Sequence, residues 1–200
     1  MSFSRRAALA LLAGLTLAPP AAVAASPADD PLVAKAVAYL DTLTNVKARF
    51  AQSDARGDVA EGTVYLARPG KARFEYDPPS GLLITSDGRT VTLTDSRLKT
   101  VQRLPLSSTP LAVFLADHIR LDRGATITRV DPGVDGFSIT ARDTRSVAGG
   151  EITLYFADRP MRLSGWAITD AEAHTTRVSL GALSAFTPPS DGFFTQGPAG

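Results

Sequence analysis

The chain has 200 residues, with 21 basic side chains set against 20 acidic ones, so it lacks the basic excess that nucleic-acid or polybasic membrane binding requires. It contains no cysteine, which excludes disulfides, thiol catalysis and a lipidated N-terminal cysteine. A chain of this size buries roughly 70 % of its unfolded surface and needs no covalent staple.

Residues 1–24 read as an export signal. Arg5 and Arg6 form the positive start, Ala7 to Leu17 the apolar stretch, and Ala22-Val23-Ala24 the small-residue cleavage site. An apolar run of 11 residues falls well short of the ~20 a membrane span needs. Ser4-Arg5-Arg6 leaves the twin-arginine route open beside the general secretory one. Removing this segment leaves 19 basic residues against 20 acidic ones in residues 25–200, expected to form a single domain that is soluble in the periplasm.

Pro31 follows Asp29 and Asp30, an arrangement suited to the first turn of a helix. Val33, Ala36, Val37, Leu40 and Leu43 then recur at helical spacing, and Thr44-Asn45 ends the helix. From Val46 the period becomes two, with Val46, Ala48 and Phe50 on one face and Lys47 and Arg49 on the other. Strands are expected over 62–67 and 72–76 around the turn Arg68-Pro69-Gly70, and over 82–85 and 91–94 around Ser86-Asp87-Gly88-Arg89, where Asp-Gly is a hairpin signal. In the first hairpin Arg73 and Glu75 share one face, expected to be wet, while Ala72, Phe74 and Tyr76 share an apolar one.

Ser107-Ser108-Thr109-Pro110 reads as a helix start capped by Thr109, with Leu111, Phe114, Leu115 and His118 on one face and an end near Ile119. Six further strands are expected over 99–104, 127–130, 137–141, 152–156, 163–169 and 175–180. Short strands in such a series predict a mainly β (α+β) fold. Its curved antiparallel sheet would form an unclosed barrel, with an N-terminal helix and a short lid helix. The tail from Pro188 is rich in Pro and Gly, with Phe193-Phe194 able to pack.

Catalytic chemistry has little to work with. His118 and His174 are far apart in sequence, no Gly-x-Ser-x-Gly elbow accompanies either, and no clustered metal-ligand spacing is visible. A glycosidase-type carboxylate pair has weak support from Glu61, Glu75, Glu151 and Glu172, so an envelope hydrolase is the weakest reading. No cofactor is expected. The positive signal is apolar bulk: Phe50, Phe74, Tyr76, Phe114, Phe137, Phe156, Trp166 and Phe186 stand among many Leu, Ile and Val. Residue by residue this describes a core; a sheet curved around a short helix also leaves a mouth suited to an apolar ligand.

Several stretches, in order, resemble the periplasmic outer-membrane lipoprotein carrier family, LolA. They are Leu40 and Leu43 with Val46-Lys47-Ala48-Arg49-Phe50-Ala51-Gln52, Gly62-Thr63-Val64-Tyr65, and Arg68-Pro69-Gly70 with Arg73-Phe74-Glu75-Tyr76. Ser86-Asp87-Gly88, Thr109-Pro110-Leu111 and Phe114-Leu115 complete the series. The resemblance implies a non-enzymatic, monomeric carrier that hides lipoprotein acyl chains in an apolar cavity. It implies that Phe50, Phe74, Tyr76, Leu111, Phe114, Leu115, Phe156 and Trp166 line that cavity, and that Arg68 locks the lid through backbone carbonyls. The implied partners are acylated lipoproteins, the inner-membrane transporter LolCDE and the outer-membrane receptor LolB. A LolA-like lipid-binding or lipoprotein-sensing module is the alternative. Ala72 departs from the family by replacing a bulky aromatic at the cavity entrance, and the segment after Phe186 departs as well.

Overall fold

The computed structural model describes residues 26–109, 112, 115–117, 125–143, 150–190 and 192–195. The expected export segment, Leu111, Phe114, His118 and Ile119 lie outside the described residues.

Helix α1 spans Pro31–Thr42. The Asp30 carboxylate accepts from the Leu32 amide at 2.8 Å, satisfying one of the donors a helix start leaves open, and Pro31 occupies the first turn where its missing amide costs nothing. Val33, Ala36 and Leu40 are the buried stripe that the spacing predicts, and Leu43 joins them just past the helix.

Among the described residues twelve strands follow: β1 Asn45–Ser53, β2 Val59–Ala67, β3 Lys71–Tyr76, β4 Leu82–Asp87, β5 Thr90–Asp95, β6 Thr100–Pro105, β7 Ala125–Pro132, β8 Gly136–Asp143, β9 Glu151–Asp158, β10 Met161–Thr169, β11 Thr175–Leu180 and β12 Ser184–Ala185. They form one sheet in the order β6-β5-β4-β3-β2-β1-β11-β10-β9-β8-β7, with β12 added to β1. The neighbouring strands pair antiparallel, so two meanders are stitched together where β1 meets β11, Phe50 standing opposite Leu180. β6 and β7 end the sheet without pairing to each other, and residues 106–124 connect them. The mainly β, unclosed architecture expected from the alternation is the one observed.

The inner face carries the core. Register places Ala48 opposite Val64, Val64 opposite Phe74 and Phe74 opposite Ile84, one apolar row crossing four strands. Phe50 has room because Gly62 stands opposite it; a Cβ there would fall 2.7 Å from the Phe50 ring and 2.2 Å from the Glu75 carbonyl. Helix α1 packs on the same side, with Tyr39 edge-on to Phe156 at 6.4 Å between centroids and Lys35 paired with Asp158.

Thr109 closes the 3-10 turn Leu106–Ser108, its amide and its hydroxyl both donating to the Leu106 carbonyl. Its own carbonyl accepts from the amide of Ala112, a helical residue, at 3.1 Å. One expectation is corrected: the Arg73 face is not wet there. Arg73 is 4 % exposed, because the C-terminal segment folds back over β2 and β3 and covers it.

Candidate functional site

The turn between β2 and β3 sits where the end of α1 meets the turn at residues 115–117. Its position is fixed by backbone: the Arg68 amide donates to the Thr44 carbonyl at 2.8 Å, and the Gly70 amide donates to the Leu115 carbonyl at 2.7 Å. Gly70 has φ of +79°, and a Cβ on it would fall 2.6 Å from the Gly88 Cα, so both the backbone conformation and the close approach require glycine.

The Arg68 side chain, 4 % exposed, points inward from this turn. Nε and Nη2 both donate to the Ala116 carbonyl, at 3.1 and 2.7 Å, and Nη2 also reaches the Asp117 carbonyl at 3.3 Å. Nη1 donates to the Leu40 carbonyl, which also accepts from the capping Leu43 amide at 3.0 Å, and Asp41 lies 3.4 Å from Nη2. One planar head thus bridges helix end and turn. Lysine, with a single ammonium, cannot span both sides at once.

Below the turn lies the apolar interior. Phe50, Phe74, Phe156, Trp166 and Leu115 are buried in one continuous core. Phe74 is edge-on to Phe50 at 5.8 Å and to Trp166 at 6.2 Å; Phe50 is edge-on to Tyr76 at 5.0 Å. Tyr76 is half-buried, its hydroxyl bonded to the Gln52 side chain at 2.8 Å. Burial pushes the Tyr76 phenol up to about 12, with the Gln52 hydrogen bond pulling the other way. The structure therefore gathers the six described members of the predicted cavity set on one side of the sheet.

On the opposite face lies a cluster that sequence reasoning left out. Tyr65 stands opposite Arg73 in the β2–β3 register, and Phe186 and Phe193 pack on Tyr65 at 4.9 and 5.0 Å. Phe194, 3 % exposed, lines a cleft of about 250 Å³ with Arg68, Pro69 and Lys71. The signal was present in the three phenylalanines of an otherwise Pro- and Gly-rich tail.

Among the described residues one histidine-containing group converges. Ligand atoms of Asp170, Glu172 and His174 lie within 4.8 Å of one another on an exposed turn. The Asp170 carboxylate there accepts from the Glu172 and His174 amides at 3.0 and 2.8 Å, the work of a turn-forming aspartate. Among the described residues no helix is long and apolar enough to cross a membrane.

A family model described as outer membrane lipoprotein carrier protein LolA matches residues 41–196. The chain belongs to the LolA family. The matched stretch includes the Arg68 turn, both hairpins and the aromatic tail. An outer-membrane lipoprotein carrier protein of Chromobacterium violaceum is 35 % identical over 116 residues, covering 54 % of this chain and 56 % of that one. A protein of the same name from Nitrosomonas europaea is 37 % identical over 114 residues, covering 50 % of this chain and 55 % of that one. The chain thus spans little more than half the length of these curated relatives. A solved LolA superfamily structure from Nitrosomonas europaea aligns at 13 % identity and a TM-score of 0.47, over 86 % of this chain and 99 % of that one.

Proposed function

We propose that this LolA-family chain is an exported periplasmic carrier that shields the acyl chains of lipoproteins, without catalysis or cofactor, on their way to the outer membrane. Residues 1–24 act as its signal peptide and residues 25–200 as one carrier domain. Its relatives are named as lipoprotein carriers, and its site offers apolar area and a fastening in place of reactive groups.

The observation that carries this reading is the buried Arg68 head joining the Leu40 and Ala116 carbonyls above the aromatic interior. Each buried methylene of an acyl chain is worth about 0.8 kcal/mol, so a lipoprotein stays monomeric in water only if its chains are covered. Release then needs a cover that returns. Arg68 supplies it: acyl chains entering between the sheet and residues 115–117 displace the fastening, and its re-formation favours expulsion. Phe50, Phe74, Tyr76, Leu115, Phe156 and Trp166 line the acyl site. LolCDE loads the carrier and LolB unloads it.

Mass spectrometry of the protein purified from periplasm tests this reading. Diacylated or triacylated lipoproteins should co-purify at substoichiometric amounts. Free lipids alone, or peptidoglycan fragments, would replace it with another lipid-binding or polymer-directed role.

A further inference from the structure

The Ser86-Asp87-Gly88 hairpin has no place in the fastening just described, although it packs directly behind it. Ser86 is a hydroxyl residue on the apolar face of the sheet. It stands between Ala72 of β3 and Val91 of β5 in one cross-strand row, and is 1 % exposed. Its Oγ donates to the Gly70 carbonyl at 2.7 Å. Gly70 is the residue whose amide holds the Leu115 carbonyl, and its Cα side lies against Gly88.

We infer that Ser86 is a positioning residue of the lid fastening, acting through the Gly70 carbonyl to aim the Gly70 amide at the Leu115 carbonyl; the inference rests on the carrier reading above only for what the fastening is used for. Gly70 sits in a region of backbone space with two soft dihedrals and no side chain to restrain them, so its two peptide planes turn easily. With the Arg68 amide already held on the Thr44 carbonyl, anchoring the Gly70 carbonyl restrains the turn from both sides and narrows the directions its amide can take. Ser86 fixes the carbonyl, and Gly88, having no side chain, lets the two turns touch and keeps the carbonyl within reach of Oγ. Closure is thereby held at two points from one turn. Gly70 holds residue 115, Arg68 holds residues 116 and 117, and the Ser-Asp-Gly hairpin braces the turn from behind. An apolar residue at position 86 would pack equally well between Ala72 and Val91, and would leave the Gly70 carbonyl buried without a partner.

The test is amide hydrogen exchange followed by NMR on the empty full-length protein, comparing wild type with Ser86→Ala, Ser86→Cys and Ser86→Thr. Alanine removes the donor, cysteine keeps the size with a much weaker donor, and threonine keeps the hydroxyl. Exchange at the Gly70 amide should rise about tenfold in Ser86→Ala and Ser86→Cys and return to near the wild-type rate in Ser86→Thr. The amides of Arg73, Phe74 and Glu75 should keep their protection, which separates a loosened fastening from a loosened sheet. An unmoved Gly70 amide, an equal rise along β3, or failure of all three variants to fold would each overturn the inference and leave Ser86 as an ordinary core residue. No cargo enters these measurements. If the Gly70 amide responds as expected while wild type takes up no diacylated peptide, the carrier reading fails and the positioning role stands. If wild type takes up the peptide while the Gly70 amide never responds, the positioning role fails alone.

Discussion

Arg73 lies beneath Phe193, its guanidinium carbon 4.9 Å from the ring centroid, while Nη1 donates to the Phe193 backbone carbonyl at 2.9 Å. Nε of the same group holds Glu75 at 2.6 Å, so the charge is paired as well as stacked. A strand arginine that alternation marks as solvent-facing is therefore a buried anchor for the C-terminal tail. A charge-assisted hydrogen bond contributes about 1.5–3 kcal/mol and a desolvated cation–π contact about 2 kcal/mol, enough together to order a short segment.

Removing that anchor should free the tail. In Arg73→Ala, cleavage by chymotrypsin at Phe186 and Phe193 should become rapid, and the urea midpoint should fall by an amount equivalent to about 3 kcal/mol. A tail as resistant as in wild type would place its stability in the Tyr65, Phe186 and Phe193 ring contacts alone.

Periodicity made most of the fold legible. The strand from Thr175 to Leu180 has the expected bounds, and α1 begins at the proline and ends before the residues its spacing indicated. What periodicity cannot reveal is which non-local segment covers a face. Arg73 meets Phe193 across 120 residues and Arg68 meets Ala116 across 48, and neither partner is encoded near the residue it serves. The role expected of Arg68 came from resemblance; its acceptors at Leu40 and Ala116 come from three-dimensional proximity. Ser86 was visible as part of a motif, but its task depends on the Gly70 carbonyl arriving beside it.

Phe74 tests the interior. Its ring lies edge-on to both Phe50 and Trp166, so Phe74→Ala leaves a hole beneath the center of the site. Loss of a buried phenylalanine costs about 3–5 kcal/mol. The Phe74→Ala protein should melt well below wild type, and Trp166 fluorescence should shift to longer wavelength as water reaches the ring. An acylated peptide that fills the hole should recover part of the lost melting temperature. Equal stabilisation of wild type and variant by that peptide would separate Phe74 from the acyl site.

Asp87 ties the bracing hairpin to pH. Its carboxylate accepts from the Arg89 and Thr90 amides, both at 2.8 Å. The backbone hydrogen bonds of Thr90 and then Arg89 hold its pKa below the ordinary carboxylate range. The folded value lies under the unfolded one, so ionised Asp87 adds stability above the ordinary range and that contribution disappears as pH falls through the folded value. Melting temperatures of wild type and Asp87→Asn should differ at neutral pH and converge in acid. A constant difference across the titration would assign the effect to the side chain's shape.

In the proposed carrier, Arg68 is the residue on which handover turns. Its buried head makes bonds to the Ala116, Asp117 and Leu40 carbonyls, each worth about 1.5–3 kcal/mol at most, and under the proposed function all break before acyl chains enter. That cost lowers affinity for cargo by the same amount that it favours return to the closed state. Arg68→Leu removes the fastening while keeping apolar bulk, so the open population rises and cargo is held more tightly. Arg68→Lys keeps the charge but reaches only one side of the bridge, and should fall between the two. Measured as transfer of a labelled lipoprotein from purified carrier to receptor-bearing membranes, Arg68→Leu should load normally, accumulate as a loaded complex and deliver at least tenfold more slowly, about 1.4 kcal/mol of lost return force. Delivery at the wild-type rate by a folded Arg68→Leu protein would leave the arginine as a purely structural bridge between α1 and the turn at residues 115–117, and would move the driving force for release to the receptor.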